Sequence, residues 1–87
     1  MARVIDNLAG IAQNSGRNVA LNKAASALGE WVAAGVLELS QVEDALYGAA
    51  EANGLVGDDG QRQCWATIRS GLGHGLQHPY DLDADRA

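Results

Sequence analysis

The chain has 87 residues, of which 47% are apolar and 20% are charged, and it contains a single cysteine, Cys64. A chain of this length forms one domain, near the lower end of the sizes that fold without disulfides or metals. Its composition excludes an intramolecular disulfide and a multi-cysteine metal site. The formal net charge of −5 argues against strong non-specific binding of nucleic acid, although it leaves room for a local basic face.

The hydropathy pattern predicts a cytoplasmic protein without membrane contact. Residues 1–6 lack the apolar run of a signal peptide, and no segment approaches the ~18 apolar residues of a membrane span. A lone cysteine also suits a reducing compartment.

Two amphipathic helices are predicted in the amino-terminal half of the chain. The first covers roughly residues 2–13 and ends before Asn14-Ser15-Gly16, which has the composition of a turn. The second is followed by Gly35, which is predicted to turn left-handed at the helix end. The two apolar stripes are Val4, Ile5, Leu8, Ile11 and Ala12, and Leu21, Ala24, Ala25, Leu28, Trp31 and Val32.

Two further features are predicted within the second helix. Asn18, or alternatively Ser15, is expected to cap its first turn, because a short polar side chain accepts from the free backbone N–H groups there. Gly29 lies in the helix interior, where glycine costs about 1 kcal/mol relative to alanine. We therefore expect another helix to cross closely at Gly29.

Two more helices are predicted in the carboxy-terminal half. Ser40-Gln41-Val42-Glu43 is typical of a capping box at the start of the third helix, and Gly54 is expected to close that helix. Asp58 or Asp59 is expected to cap the fourth helix. The two apolar stripes are Val42, Ala45, Leu46, Ala49 and Ala50, and Cys64, Trp65, Ile68 and Leu72.

These elements predict an all-α fold, a small compact bundle of about four helices in a single domain spanning residues 1–79. The fourth helix is expected to fray at three glycines before Pro79 ends regular structure. The glycines are Gly71, Gly73 and Gly75. Residues 80–87 are predicted to form a disordered, solvated acidic tail. As the two largest side chains, Trp31 and Trp65 are expected to be substantially buried.

The sequence predicts neither a catalytic nor a metal site. Cys64, His74 and His78 could be assembled into a nucleophilic site, but Cys64 lies on the apolar stripe, where a free cysteine is usually buried. The same three residues with an Asp of the tail are the one candidate zinc set, and their spacing matches no zinc motif. We expect a protein that is not an enzyme and that uses no cofactor.

Apart from Arg3 and Arg86, every basic residue lies in the second or the fourth predicted helix. Arg62 and Arg69 are separated by nearly two helical turns and project from one side of the fourth helix. The accompanying polar residues are Arg17, Asn18, Asn22 and Lys23 in the second helix, and Gln63, Thr67 and Ser70 in the fourth. Two interpretations stay open: solvated helix surfaces, or a surface that contacts phosphates. The third helix carries no basic residue, which disfavours a helix-turn-helix.

Three motifs resemble those of a known family, and the similarity covers roughly residues 2–79. The motifs are Gly16-Arg17-Asn18-x-x-Leu21-Asn22-x-Ala24-Ala25-x-x-Leu28-Gly29, Ala33-Ala34-Gly35-x-Leu37 and Thr67-Ile68-x-Ser70-Gly71-Leu72-x-x-Gly75. They are similar to those of the primase C-terminal (PriCT-like) helical module, which follows the catalytic domain in phage and plasmid bifunctional DNA primase–polymerases.

The resemblance implies a non-catalytic accessory module of DNA replication that binds single-stranded or forked DNA weakly or docks to a primase or helicase. The catalytic carboxylates of the primase–polymerases have no counterpart here, so the chain is not expected to synthesise primers by itself. With the basic segments, the resemblance gives six candidate nucleic-acid-binding residues. They are Arg17, Asn18, Lys23, Arg62, Arg69 and Ser70.

Two alternatives stay open. Arg17 and Asn18 could serve the fold alone, as an ion-pairing residue and a helix cap. In the other alternative, the chain is a small phage or mobile-element protein that binds and modulates a host protein through an acidic or an apolar surface. That second function predicts an exposed apolar patch that includes Trp31 or Tyr47.

Overall fold

The computed structural model describes residues 1–10 and 16–81, and within these ranges every regular element is a helix. The five helices are α1 (Ala2–Ala9), α2 (Arg17–Ala33), α3 (Leu39–Ala52), α4 (Leu55–Asp59) and α5 (Gln61–Leu76). The all-α prediction is confirmed, with five helices in place of about four. None of the described helices is long and apolar enough to cross a membrane.

The core is built from aliphatic side chains of all five helices. Its largest fully buried members are Leu21, Leu28, Leu46, Ile68, Val42 and Cys64. Trp31 and Trp65 are partly buried, and neither fills the centre of this core. Trp65 packs against the core, and Trp31 lines an apolar pocket together with Leu28. Each tryptophan instead stacks on a tyrosine, Trp31 on Tyr80 and Trp65 on Tyr47, with ring centroids 4.0 and 4.8 Å apart. The interior is therefore held by leucines and small residues, and the aromatic rings cover its edges.

The helices α2 and α5 run parallel and form the closest pair of the fold. A methyl group added at Gly71 would lie 2.5 Å from the carbonyl oxygen of Asn22, and one added at Gly29 would lie 2.9 Å from that of Leu72. The crossing expected at Gly29 is therefore confirmed. The expectation that Gly71, Gly73 and Gly75 fray the last helix is wrong, because α5 continues to Leu76. Gly71 and Gly75 are buried against α2, and this contact favours helix over the flexibility of glycine.

The glycines predicted to end α2 and α3 are confirmed, whereas the side-chain caps predicted at the helix starts are wrong. Gly35 and Gly54 have φ of +82° and +84°, the left-handed conformation expected after α2 and α3. The cap of α2 is Gly16, so Asn18 lies inside the first turn, while the alternative Ser15 falls outside the described residues. The cap of α3 is Glu38, and Ser40 Oγ donates to Glu38 Oε1 at 3.0 Å, so the predicted capping box does not form.

Asp58 and Asp59 do not cap the last helix, because they belong to the extra helix α4. α5 begins after Gly60, whose φ of +87° turns the chain sharply between the two helices. A five-residue helix is too short to show a periodic apolar stripe, so nothing in the sequence pattern separated it from a loop.

The two ends of the predicted domain also differ from expectation. α1 ends at Ala9, before the predicted limit of residue 13, and residues 11–15 lie outside the described ranges. Regular structure stops before Pro79, as expected. Tyr80 does not begin a solvated tail, because its backbone N–H donates to the Glu30 carbonyl at 3.0 Å and its ring stacks on Trp31. The tail beyond Asp81 falls outside the described residues.

Candidate nucleic-acid interface

Charge is segregated between the helices. Helices α2 and α5 carry Arg17, Lys23, Arg62 and Arg69 against one acidic residue, Glu30. Helices α3 and α4 carry Glu43, Asp44, Glu51, Asp58 and Asp59 and no basic residue. The two helices that pack side by side, α2 and α5, thus hold four of the basic residues of a protein whose total charge is negative. The overall charge of −5 therefore does not describe how charge is distributed among the helices.

An open groove of about 430 Å³ runs between the amino-terminal parts of α2 and α5. Its lining consists of Asn18, Val19, Asn22, Lys23, Gln63, Ala66, Thr67 and Ser70. Three of the six predicted site residues, Asn18, Lys23 and Ser70, thus lie on one concave surface. No carboxylate lines this groove, so an anionic ligand would meet amide, hydroxyl and ammonium groups there.

Hydrogen bonds between the two helices orient the polar side chains of the groove. The hydroxyl group of Thr67 donates to Asn18 Oδ1 at 2.8 Å, and Asn22 Nδ2 donates to the Thr67 carbonyl at 3.4 Å. Because the oxygen of the Asn18 amide accepts from Thr67, its Nδ2 group is the part that can donate to a ligand, and no hydrogen bond from Nδ2 is formed among the described residues. Asn18 therefore has a defined structural contact and an available donor, a combination that neither sequence interpretation predicted.

Arg17 is placed differently, since its side chain is only 10% exposed. Its Nη1 donates to the Asn53 carbonyl at 2.7 Å, and its Nη2 forms an ion pair with Asp58 Oδ2 at 2.6 Å. Asn53 in turn donates to the Leu8 carbonyl at 3.0 Å. Arg17 thereby joins the start of α2 to α4 and to the end of α3, which agrees with the structural alternative for this residue.

Arg62 and Arg69 are exposed and do not line the groove. They lie on the neighbouring side of α5, where the Arg69 guanidinium carbon is 5.9 Å from the centroid of the Trp65 ring. A cation over an aromatic face is held weakly, so the charge stays accessible to solvent. The predicted basic surface is therefore divided: a groove with one lysine, a flank with two arginines, and Arg17 engaged within the protein.

Three further groove residues were visible in the sequence as polar neighbours but were not assigned to the site. They are Asn22, Gln63 and Thr67. Asn18 and Asn22 are four residues apart, as are Gln63 and Thr67, a spacing that places each pair on one side of its helix. That spacing could have identified the groove. Arg17, in contrast, bonds to Asn53 and Asp58, which are too distant from it in sequence for any local pattern to indicate the contact.

Cys64 is 1% exposed, and burial raises the pKa of its thiol, with a further increase from Asp59 and a decrease from Arg17. The predicted burial of this thiol is confirmed. Because the thiolate is the reactive form, we expect a thiol-reactive dye to label native protein much more slowly than protein in denaturant. Absorbance of the released dye group measures both rates, and rapid native labelling would contradict this assignment.

Residues of the first and third motifs meet at the contact between α2 and α5. Gly29, Gly71 and Gly75 form the crossing, and Thr67 bonds to Asn18 across it. No family model, curated protein or solved structure matches the chain. The motif residues at this contact thus have a structural explanation in this fold, and the function is inferred from the surface that the two helices present.

Proposed function

We propose that the chain is a non-catalytic helical accessory module of DNA replication, of the primase–helicase type, that contacts single-stranded or forked DNA through α2 and α5. The observation that carries this proposal is the segregation of charge between the helices, with a groove free of carboxylates between α2 and α5. Docking to a primase or helicase through the same side is the protein-binding form of this function.

The side chains of this surface suit the sugar–phosphate backbone better than base edges. Lys23, Arg62 and Arg69 supply three exposed positive charges, and Asn18 and Ser70 supply neutral donors beside them. No aromatic ring lines the groove, so base stacking there does not add to affinity. Binding is therefore expected to be weak, sensitive to salt and indifferent to sequence.

We expect fluorescence anisotropy with a labelled single strand or fork to show affinity that falls as salt rises. Each phosphate contact contributes about 0.7 to the slope of log affinity against log salt for single strands. Lys23→Gln and Arg69→Gln should each reduce the slope by about that amount, because each removes one charge from the α2–α5 surface. Arg3→Gln, which removes an exposed charge from α1, is the matched control and should leave the slope nearly unchanged.

Equal effects of all three substitutions would indicate a general charge effect and contradict a site on α2 and α5. Absence of binding at low salt would remove the DNA-binding form of the proposal. Capture experiments with a purified primase or helicase, using the same three variants, would then test the protein-binding form.

A second candidate function is favoured by an apolar pocket at the opposite end of α2. The pocket has a volume of about 280 Å³ and is lined by Met1, Val4, Leu28, Trp31, Val36 and Leu37. Met1 and Val36 are 45% and 52% exposed, and this apolar surface supports the alternative of a protein that modulates a host protein. A net charge of −5 repels a second copy, so the fitting occupant is an apolar side chain of a less acidic protein. This candidate function predicts that Val36→Ser abolishes binding of the host protein, whereas Lys23→Gln does not.

A further inference from the structure

The two arginines on the flank of α5 lie on either side of an aromatic residue. Arg62, Trp65 and Arg69 are separated by three and then four residues, the spacing that places side chains on one side of a helix. Both arginines are exposed, and Trp65 is partly exposed between them. This side of α5 therefore presents an indole ring between two positive charges.

The ring of Trp65 is only partly covered by its neighbours. Tyr47 of α3 stacks on it with the planes inclined by 5° and the centroids 4.8 Å apart. Parallel rings in contact lie about 3.5–4.0 Å apart, so these two rings are offset and each leaves part of its face uncovered. The Arg69 guanidinium carbon is 5.9 Å from the Trp65 centroid, at the outer limit of a cation–π contact. Because Arg69 is exposed and weakly held, a planar ligand can displace it from the ring.

We propose that Trp65, supported by Tyr47, is a stacking site for one unpaired nucleobase, with Arg62 and Arg69 contacting the phosphates beside it. This inference rests on the proposed function and narrows its ligand to single strands. Stacking uses the flat face that every base has, so it does not require a particular sequence. In a duplex, the bases present only their edges in the grooves, so the ring cannot stack on them.

The charges around the ring place the strand backbone on α5. Helix α3, which supplies Tyr47, carries three acidic residues and no basic residue, so it repels phosphates. Arg62 and Arg69 are seven residues apart, about 10 Å along the helix axis, which leaves room for one nucleotide between them. The groove between α2 and α5 has no aromatic lining, so the flank adds a contact that the groove cannot make.

Fluorescence anisotropy with two labelled strands of equal length tests the site. One strand consists of thymidine nucleotides, and the other of abasic nucleotides, which keep the phosphates but have no bases. We expect the unmodified chain to bind the thymidine strand at least about fivefold more tightly, the lower end of the contribution of one stacked base. The salt slopes of the two strands should be equal, because the phosphate contacts are the same.

Trp65→Leu should lower the affinity for the thymidine strand to that for the abasic strand. Leucine keeps an apolar contact with the core but removes the stacking face. Trp31→Leu makes the same change at the other tryptophan, near the end of α2, and is the matched control that should keep the preference. Trp65→Phe retains an aromatic face and should keep part of it. Circular dichroism shows whether each variant is folded.

Equal affinity of the unmodified chain for the two strands overturns the stacking site but not the proposed DNA binding. The stacking site is also overturned by a preference for the thymidine strand that persists in Trp65→Leu. Absence of binding by both strands overturns the proposed function, and this inference with it. The comparison of the two strands on the unmodified chain needs no variant, so it decides the matter even where Trp65→Leu does not fold.

Discussion

Replacing Gly75 with alanine is expected to destabilise the protein by about 3 kcal/mol, the upper part of the usual range for overpacking a well-packed contact. A methyl group at this position overlaps the carbonyl oxygen of Ser26 and lies 2.9 Å from the Cα atom of Gly29. Both neighbours are backbone atoms of α2, so the two helices must move apart to make room. A fold of this size has a total stability of only ~3–5 kcal/mol, so the variant should be largely unfolded at ordinary temperature.

Gly73→Ala is the matched control, because it makes the same chemical change two residues earlier in the same helix. A methyl group at Gly73 meets nothing within 4 Å. Alanine favours helix over glycine by about 1 kcal/mol, so this variant should gain stability by up to that amount. Urea unfolding followed by circular dichroism gives both free energies. Similar values for the two variants would contradict the close parallel packing of α2 on α5.

The free energy of unfolding is expected to fall in Gly75→Ala and to rise in Gly73→Ala, although the sequence alone gives both glycines the same low helix propensity. The repeating apolar residues fixed α2, α3 and α5, because the helical period depends only on local spacing. The sequence predicts a crossing point at Gly29 because a single glycine within a strong apolar stripe destabilises the helix unless another helix packs closely against it. At Gly71 and Gly75 the sequence predicts fraying, since closely spaced glycines have low helix propensity, and only the packing of α2 against them favours helix.

The predicted side-chain caps at the helix starts are wrong for a related reason. Sequence favours polar caps such as Ser40 and Asp59, whereas this chain begins α2 and α5 after Gly16 and Gly60, whose positive φ suits sharp turns. Which residue precedes a helix here depends on the direction from which the chain arrives, and that direction is set by tertiary contacts.

The candidate site was predictable in composition but not in arrangement. That basic residues cluster in the second and last helices is evident from the sequence, and the structure adds that these two helices are neighbours. The division between groove, flank and interior depends on side-chain contacts across more than thirty residues of sequence, as between Arg17 and Asn53, where the separation is 36. Such contacts leave no local pattern.

Arg17 is the residue for which this distinction has the largest measurable consequence. Arg17→Met keeps a long apolar stem but removes the donors to the Asn53 carbonyl and to the Asp58 carboxylate. A hydrogen bond to a charged group contributes about 1.5–3 kcal/mol, so we expect a loss of about 2 kcal/mol in the free energy of unfolding. The ion pair itself adds less, because Asp58 is 44% exposed and solvent screens it.

Arg62→Met is the matched control, since Arg62 is exposed on α5 and no ion pair is formed by it among the described residues. It should change stability by less than about 0.5 kcal/mol, the usual range for surface substitutions. The DNA-binding assay should give the reverse order: Arg62→Met lowers the salt slope by about 0.7, whereas Arg17→Met, assayed where it is still folded, leaves the slope unchanged. A folded Arg17→Met variant of normal stability with a reduced slope would instead show that the Arg17 guanidinium leaves Asn53 and contacts phosphate.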